Sequence, residues 1–451
     1  MTIKNKTRRV AGVTLAAVAL GGCDFISPLE SNPNAVATAN VDQLFTSAQV
    51  ISYFLGTGGL SRIAAIWTQQ MAGTDRQFAT FDTYTITDAD FEDEFNALYT
   101  QGGLIDLRSA IAQAEAAGRL PYAGILKIHE AYIVGIISSF YGDIPYREAV
   151  GGVATPALDD QAQVYADLQA LLDEAITDLA GAGAGPGALD MNFAGNAARW
   201  TAVAYTLKAR YHMHWAEVNG AASYTAARTA ATNGITAAAG TWRARFGTAQ
   251  TESNLWTQFL SDRSGYVSSG DFMIPLMNAN ADPRRPYYFE QVSGAYTSRV
   301  SLLADPGYGA ADFDLPLVTC AENYFIIAEA ETQVGTDAAA RTAANNALDC
   351  EEASYTPALD LSAEQTIING LSGAALRDKI MEQKYIAMFL NTEVYNDYKR
   401  TCLPAAIVER SGGMPGRLFY ASQERATNPN VPNTGTDPND KYNDNDPTPC
   451  P

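Results

Sequence analysis

Apolar positions recur along this chain at three- and four-residue steps over long stretches, the spacing that gathers one face of an α-helix. Across residues 42–71, Leu44, Phe45, Val50, Ile51, Phe54, Ile63 and Ile66 keep that step and Gly56-Thr57-Gly58-Gly59 interrupts it, which predicts two helices joined by a glycine turn. The same pattern predicts helices over 91–118, 122–140, 163–179, 196–218, 223–238, 321–334, 337–348 and 374–399. Pro121 stands at the opening of the 122–140 stretch and Gly142 after its end, while Asn219-Gly220 stops the 196–218 helix. Two-residue alternation is scarce and short. Helices arriving in neighbouring pairs predict an all-α scaffold of stacked helical hairpins, each pair burying its apolar face against the next. No 34-residue consensus recurs, so the likeness to tetratricopeptide repeats is one of geometry. Between the helices lie long irregular segments at 72–90, 142–160, 239–319 and 403–451; insertions of that size are uncommon and are where function concentrates. The last, polar and proline-rich near 437–447, reads as a solvated tail.

The first residues break this pattern. Lys4, Lys6, Arg8 and Arg9 precede an uncharged, mostly apolar stretch over 10–20, closed by Leu20-Gly21-Gly22-Cys23. That order is a bacterial secretion signal, with a cysteine where a lipoprotein signal peptidase requires one. The expected organisation is a signal peptide over 1–22, a tether over 23–40 carrying lipid on Cys23, and a single domain over 41–451. Acyl chains at roughly 0.8 kcal/mol per buried methylene would hold such a protein on a membrane. No later apolar run is long enough to cross one. With 451 residues, 47% apolar and 18% charged, the chain can bury a large core. Its formal charge of −20 becomes −24 without the four signal cations, a surface that repels nucleic acid and anionic lipid.

Setting Cys23 aside leaves Cys320, Cys350, Cys402 and Cys450, an even number that favours two disulfides in an exported protein. Of three possible pairings, the helix pair 321–334 and 337–348 favours one. It turns near Gly335-Thr336 and so brings Cys320 beside Cys350, leaving Cys402 for Cys450. No C-x-x-C spacing occurs, which argues against redox or zinc chemistry.

Catalytic motifs are sparse. His212 and His214 point roughly 200° apart on a helix and cannot share a metal, and His129 stands alone within another. No G-x-S-x-G elbow, H-E-x-x-H pair or phosphate-binding glycine loop is present. The densest acidic cluster, Asp88, Asp90, Glu92, Asp93 and Glu94, lacks the glycine of an EF-hand and suits a helix amino terminus. No metal or cofactor is therefore expected, although paired carboxylates keep a glycan hydrolase as the alternative.

Phe140-Tyr141-Gly142-Asp143-Ile144-Pro145-Tyr146-Arg147-Glu148-Ala149 is physically a helix stop with a proline-fixed extended exit. As a string it resembles the G-D-x-P-Y-x-E-A signature of the SusD/RagB family of outer-membrane nutrient-binding lipoproteins. Asp282-Pro283-Arg284 resembles that family's D-P-R turn. Ala321-Glu322-Asn323-Tyr324-Phe325-Ile326-Ile327-Ala328-Glu329-Ala330 is similar to its late helix. Glu382-Gln383-Lys384-Tyr385-Ile386-Ala387 and the stretch from Glu393 to Arg400 resemble its Q-K-Y-x-A helix and the E-x-W/Y-x-D-x-R-R run after it. The resemblance implies a SusD-like helical fold with tetratricopeptide-like pairs, lipid-anchored at the outer membrane and facing the cell exterior. It further implies capture of an oligosaccharide or peptide for a SusC-like TonB-dependent barrel.

A carbohydrate receptor needs aromatic platforms for apolar C–H faces, with amides or carboxylates beside them. Aromatics in irregular segments are the candidates: Phe78, Phe81 and Tyr84 in the 72–90 loop, and Trp242, Trp256, Tyr266, Tyr287 and Tyr288 in the 239–319 insertion. The expected ligand-binding residues are Phe81, Tyr84, Trp242, Trp256, Tyr266 and Tyr287. Trp67, Trp200 and Trp215 fall on helices and are expected in the core.

Overall fold

The computed structural model describes residues 39–450 apart from 101, 406, 408, 409, 411, 412 and 433–442. The signal sequence, Cys23 and nearly all of the tether lie outside the described residues. The first helices are α1 (Val41–Thr57) and α2 (Gly59–Trp67), followed by strand β1 (Met71–Gly73) and helices α3 (Arg76–Phe81), α4 (Glu92–Ala97), α5 (Leu104–Ala116), α6 (Leu120–Tyr141), α7 (Gln161–Leu179), α8 (Ala197–His214), α9 (Ala216–Asn219) and α10 (Ala221–Ala231). An insertion carries β2 (Trp242–Ala244), α11 (Leu255–Asp262), β3 (Val267–Ser269), α12 (Met273–Ala279), α13 (Arg285–Tyr288) and β4 (Leu315–Val318). The chain then forms α14 (Cys320–Val334), α15 (Asp337–Glu352), α16 (Ser362–Gly370), α17 (Gly373–Ala387), α18 (Glu393–Thr401) and α19 (Ser422–Thr427).

The helices stack in succession: α5 on α6, α6 on α7, α7 on α8, α8 on α10, α10 on α14, and α14 on both α15 and α17. This is the all-α, tetratricopeptide-like arrangement the periodicity predicts. The central member, α6, corrects the expectation that no later run is long enough to cross a membrane: it is apolar on every side and long enough, yet it is buried within the protein, as a core helix is. Its one lysine, Lys127, is tolerated because Nζ reaches Glu115, Glu174 and Asp178 at 2.9, 3.2 and 2.8 Å, tying α6 to α5 and α7. Helix starts carry their own caps. Asn196 accepts from the Arg199 amide at α8, and Thr319 forms a reciprocal box with Glu322 at α14.

Two short antiparallel ladders shape the insertion: β1 with β3 (Met71 opposite Ser269) ties it to the chain after α2, and β2 with β4 (Trp242 opposite Val318) pairs its two ends. Disulfides join Cys320 to Cys350 and Cys402 to Cys450. The first links the start of α14 to the end of α15.

Several expectations are corrected. The 91–118 stretch is two helices, parted by a turn in which Gly102 takes φ +94°. The 196–218 stretch breaks at Trp215, and 374–399 breaks after Ala387, where Leu390 takes φ +58°. The 72–90 and 239–319 segments contain strands of three or four residues and helices of four to eight, too short to show a period. The tail expected to be solvated is packed down where it is described: Asn443, Asn445 and Asp446 are buried. Asn443 donates to the carbonyls of Ser139 and Gly416, and the Asn445 amide donates to Gln161 Oε1.

Candidate ligand-binding site

The motif residues act first as joints. Arg284, fully buried, donates from Nε to Asp282 Oδ1 at 2.9 Å and from Nη2 to Asp282 Oδ2 and Gln383 Oε1 at 2.6 and 2.7 Å. The Asp-Pro-Arg turn is thereby fastened to α17, and Tyr288 completes the joint by donating to the Ile386 carbonyl and stacking on Phe389 with ring centroids 4.3 Å apart. In the Gly-Asp-Ile-Pro-Tyr turn, Asp143 accepts the Gln161 amide at the start of α7, and Tyr146 donates to Glu130. Glu322 pairs with Arg210, and Glu329 with Arg400, so the late helix α14 is clasped to α8 and α18.

On the outer side of the first joint, α13 ends in a cleft of about 880 Å³. Its walls are Pro286, Tyr287 and Phe289 on one strand of chain, Asp305, Pro306, Gly307 and Phe313 on another, and Ser354, Tyr355, Thr356 and Pro357 beyond the end of α15, with Glu290, Gln291 and Tyr296 at the rim. Tyr287 and Tyr355 lie with ring centroids 4.8 Å apart. The Tyr287 hydroxyl donates to the Pro357 carbonyl at 3.2 Å, and the Tyr355 hydroxyl donates to that of Tyr288 at 3.4 Å, which fixes both rings. The Arg285 guanidinium sits 5.3 Å from the Tyr296 ring centroid while donating to the Asp282 carbonyl and Asn278. Three prolines stiffen the walls by fixing φ. Gly307, at φ +139°, lets the chain pass against the Tyr287 carbonyl where a Cβ would collide. Four half-open rings, Tyr287, Tyr296, Phe313 and Tyr355, thus face a concave surface with two carboxylates and an amide, the composition of a site for a ligand with both apolar and hydroxylated faces.

Behind the cleft, Glu351 is buried one turn before Tyr355, its Oε2 without a hydrogen-bond partner among the described residues. Burial pushes its carboxyl up to about 7, against the lowering pull of Arg284 and Arg243.

Of the six residues expected to touch ligand, the structure brings only Tyr287 into this cleft. Trp242 is fully buried, packed with His129, Tyr132 and Trp200 at centroid distances of 4.9, 4.7 and 5.2 Å. Trp256 is fully buried and donates to Ser61. Tyr84 packs edge-on to Trp67, and Phe81 sits between Phe78 and Phe91. Tyr266 is half-buried beside Phe78 and Phe259. The burial of Trp242, Trp256, Tyr84 and Phe81 corrects the expectation for those four: irregular segments have no regular face of their own and are held by packing their large rings inward; Tyr266 lies outside this cleft and stays part-open. Trp67 and Trp200 are in the core as expected, while Trp215 is only partly covered at the break between α8 and α9. Sequence reasoning missed Phe289, Tyr296, Phe313 and Tyr355. The one available signal was Tyr355, a ring followed by Thr-Pro just past the apolar stripe of α15.

The acid–base cluster most like a catalytic array lies elsewhere. His214 shares hydrogen bonds of 2.7 Å with Tyr165 and with Glu393, and all three are buried. Despite burial, His214 and Arg210 hold the Glu393 carboxyl below the ordinary carboxylate range. The void alongside is about 10 Å³, room for one water at most, so these groups serve the joint between α7, α8 and α18.

The stacked-hairpin scaffold, with a long irregular insertion between its helix pairs, defines an all-α, tetratricopeptide-like class of fold. The chain belongs to the SusD-like family described as starch-binding and associating with the outer membrane, which matches residues 33–421. Among solved structures it is similar to a SusD/RagB family protein of Bacteroides thetaiotaomicron (TM-score 0.70, 20% identity, 87% of this chain and 95% of that one). It is also similar to a SusD homolog of Bacteroides fragilis (TM-score 0.71, 19%, 87% and 94%) and to a chitin-binding SusD homolog of Flavobacterium johnsoniae (TM-score 0.71, 19%, 86% and 93%). At these identities the likeness shows the fold. No curated protein matches the chain.

Proposed function

We propose that this protein is a non-enzymatic glycan receptor, anchored through lipid on Cys23 to the outer membrane and displayed at the cell surface. Its single domain over 41–451 captures oligosaccharide and delivers it to a SusC-like TonB-dependent barrel. The observation that carries the reading is the cleft of about 880 Å³ in which Tyr287 and Tyr355, 4.8 Å apart, are held with their rings part-open beside Phe313 and Tyr296. The family's description as starch-binding and the chitin-binding relative support a glycan over the peptide alternative. The proposed ligand contacts are Tyr287, Tyr296, Phe313 and Tyr355.

The test is calorimetric titration of the purified protein with oligosaccharides, with product analysis of each mixture. Saturable binding without cleavage is expected, and Tyr287→Ala or Tyr355→Ala should each weaken it about tenfold, the loss of one stacking platform. Cleaved products would replace the receptor with the hydrolase alternative, and peptide binding alone would change the cargo.

A further inference from the structure

The cleft's charge is one-sided. Among the described lining residues the only ionised groups are the carboxylates of Glu290 and Asp305; no lysine, arginine or histidine lines it. Both carboxylates are exposed, and neither has an ion-pair partner among the described residues. The cations nearest in the fold are engaged with protein oxygens. Arg285 is held by Asn278, the Asp282 carbonyl and the Tyr296 ring. Arg284 is buried against Asp282 and Gln383. Arg243 donates to the Asp314 carbonyl. A ligand anion entering the cleft would meet two carboxylates on the walls themselves, while the one cation set against a lining ring, Arg285, already donates to Asn278 and the Asp282 carbonyl, on a chain whose formal charge is −20. It would also surrender hydration for which the lining side chains offer only neutral donors, such as Gln291, Ser354 and Thr356. An ammonium group would meet the reverse: two carboxylates free to accept its protons and, on the same walls, the negative faces of tyrosine rings.

We infer that the cleft selects its glycan by charge, taking amino-bearing chains over neutral ones and rejecting chains that carry uronate or sulfate. This rests on the glycan-receptor reading and narrows it: the rings supply affinity for any sugar face, and Glu290 and Asp305 decide which substituents are admitted. Both carboxylates are exposed and outside the buried joint at Arg284, so replacing them alters the charge of the site and leaves its support in place.

The experiment is a glycan array spanning many linkages, on which neutral, free-amino, uronate and sulfated members are represented. It is probed with the wild-type protein and with the double variant Glu290→Gln, Asp305→Asn at low ionic strength, because exposed charges are screened within about 10 Å at 0.1 M salt. Expected is a wild-type bound set without uronate or sulfate members, and amino-bearing members bound at least tenfold better than their N-acetylated counterparts. The double variant should lose most of that ratio. Acidic glycans bound as well as neutral ones, an amino-to-neutral ratio near one, or a ratio unchanged in the double variant would each overturn the inference and leave the receptor reading standing. Silence of the whole array, or binding only of basic peptides printed beside the glycans, would overturn the receptor reading and this inference with it.

Discussion

Glu351 shows how a single buried carboxyl couples the cleft's support to pH. Its folded-state value of about 7 lies above the ordinary 4.5 because burial strips the carboxylate of water faster than Arg284 and Arg243 compensate. The folded protein therefore holds more protons than the unfolded chain between about 4.5 and 7. The group's contribution to stability is complete below that window and is lost as pH rises through it, on the order of 3 kcal/mol for a shift of this size. Glu351→Gln should raise the thermal midpoint at pH 8 and leave it unchanged at pH 4, measured by calorimetric melts at both; equal midpoints at pH 8 would contradict this account. His129 works in the opposite sense. Burial lowers its value from 6.5 to about 4, so its neutral ring, bonded to Ser52 and packed on Trp200 and Trp242, costs stability as pH falls through that range. Neither environment is visible in sequence, where both residues are ordinary members of a helical pattern. For the same reason an aromatic in an insertion could not be assigned to core or ligand: Trp242 and Tyr287 have equivalent sequence surroundings, and only the β2–β4 ladder decides that the first turns inward.

At the level of elements, sequence reading succeeded where a helix is long and one-sided and failed where its end is set by backbone conformation. The long helices α7, α14 and α15 lie close to their predicted spans because their apolar stripes run to the caps, and α6, apolar all round, does so between Pro121 and Gly142. The break between α17 and α18 was invisible because Met388, Phe389 and Leu390 continue the apolar run, while Leu390 at φ +58° and the Asn391 side chain, which accepts the Glu393 amide, end one helix and start the next. The start of α14 is the element junction most open to test. Thr319→Ala removes the capping box and should cost about 1 kcal/mol. Glu322→Ala removes the same box and also strands the Arg210 guanidinium, which donates to Glu322 at 2.6 and 2.7 Å and is only 2% exposed; the loss should approach 3–5 kcal/mol, roughly the cost of an uncompensated buried charge. Denaturant unfolding of the two variants separates them. Equal losses would mean that Glu393, 3.6 Å from Arg210, takes over the pairing.

For the molecule as a whole, the two disulfides do different work. Cys402–Cys450 closes a separation of 48 residues and fastens the tail to α18, where Asn443 and Asn445 meet the ends of α6 and α7. None of these residues lines the cleft. Cys320–Cys350 closes 30 residues and holds the end of α15, from which the Ser354–Pro357 wall of the cleft departs only four residues on. By loop entropy alone the two bonds are nearly equal, about 4 kcal/mol each as an upper figure. Their effects on binding should nonetheless diverge. Cys402→Ser with Cys450→Ser should lower the unfolding midpoint and leave glycan affinity as in the parent, because tail and cleft share no residue. Cys320→Ser with Cys350→Ser should lower the midpoint by a similar amount and also weaken binding, because the Tyr355 ring is placed by a helix end that is then free to fray. Calorimetric melts paired with titrations of each double variant decide the matter. Affinity lost in the tail variant would mean that the scaffold transmits strain from α18 to the cleft, and affinity retained in the other would mean that the hydroxyl contacts of Tyr287 and Tyr355 suffice to hold the wall.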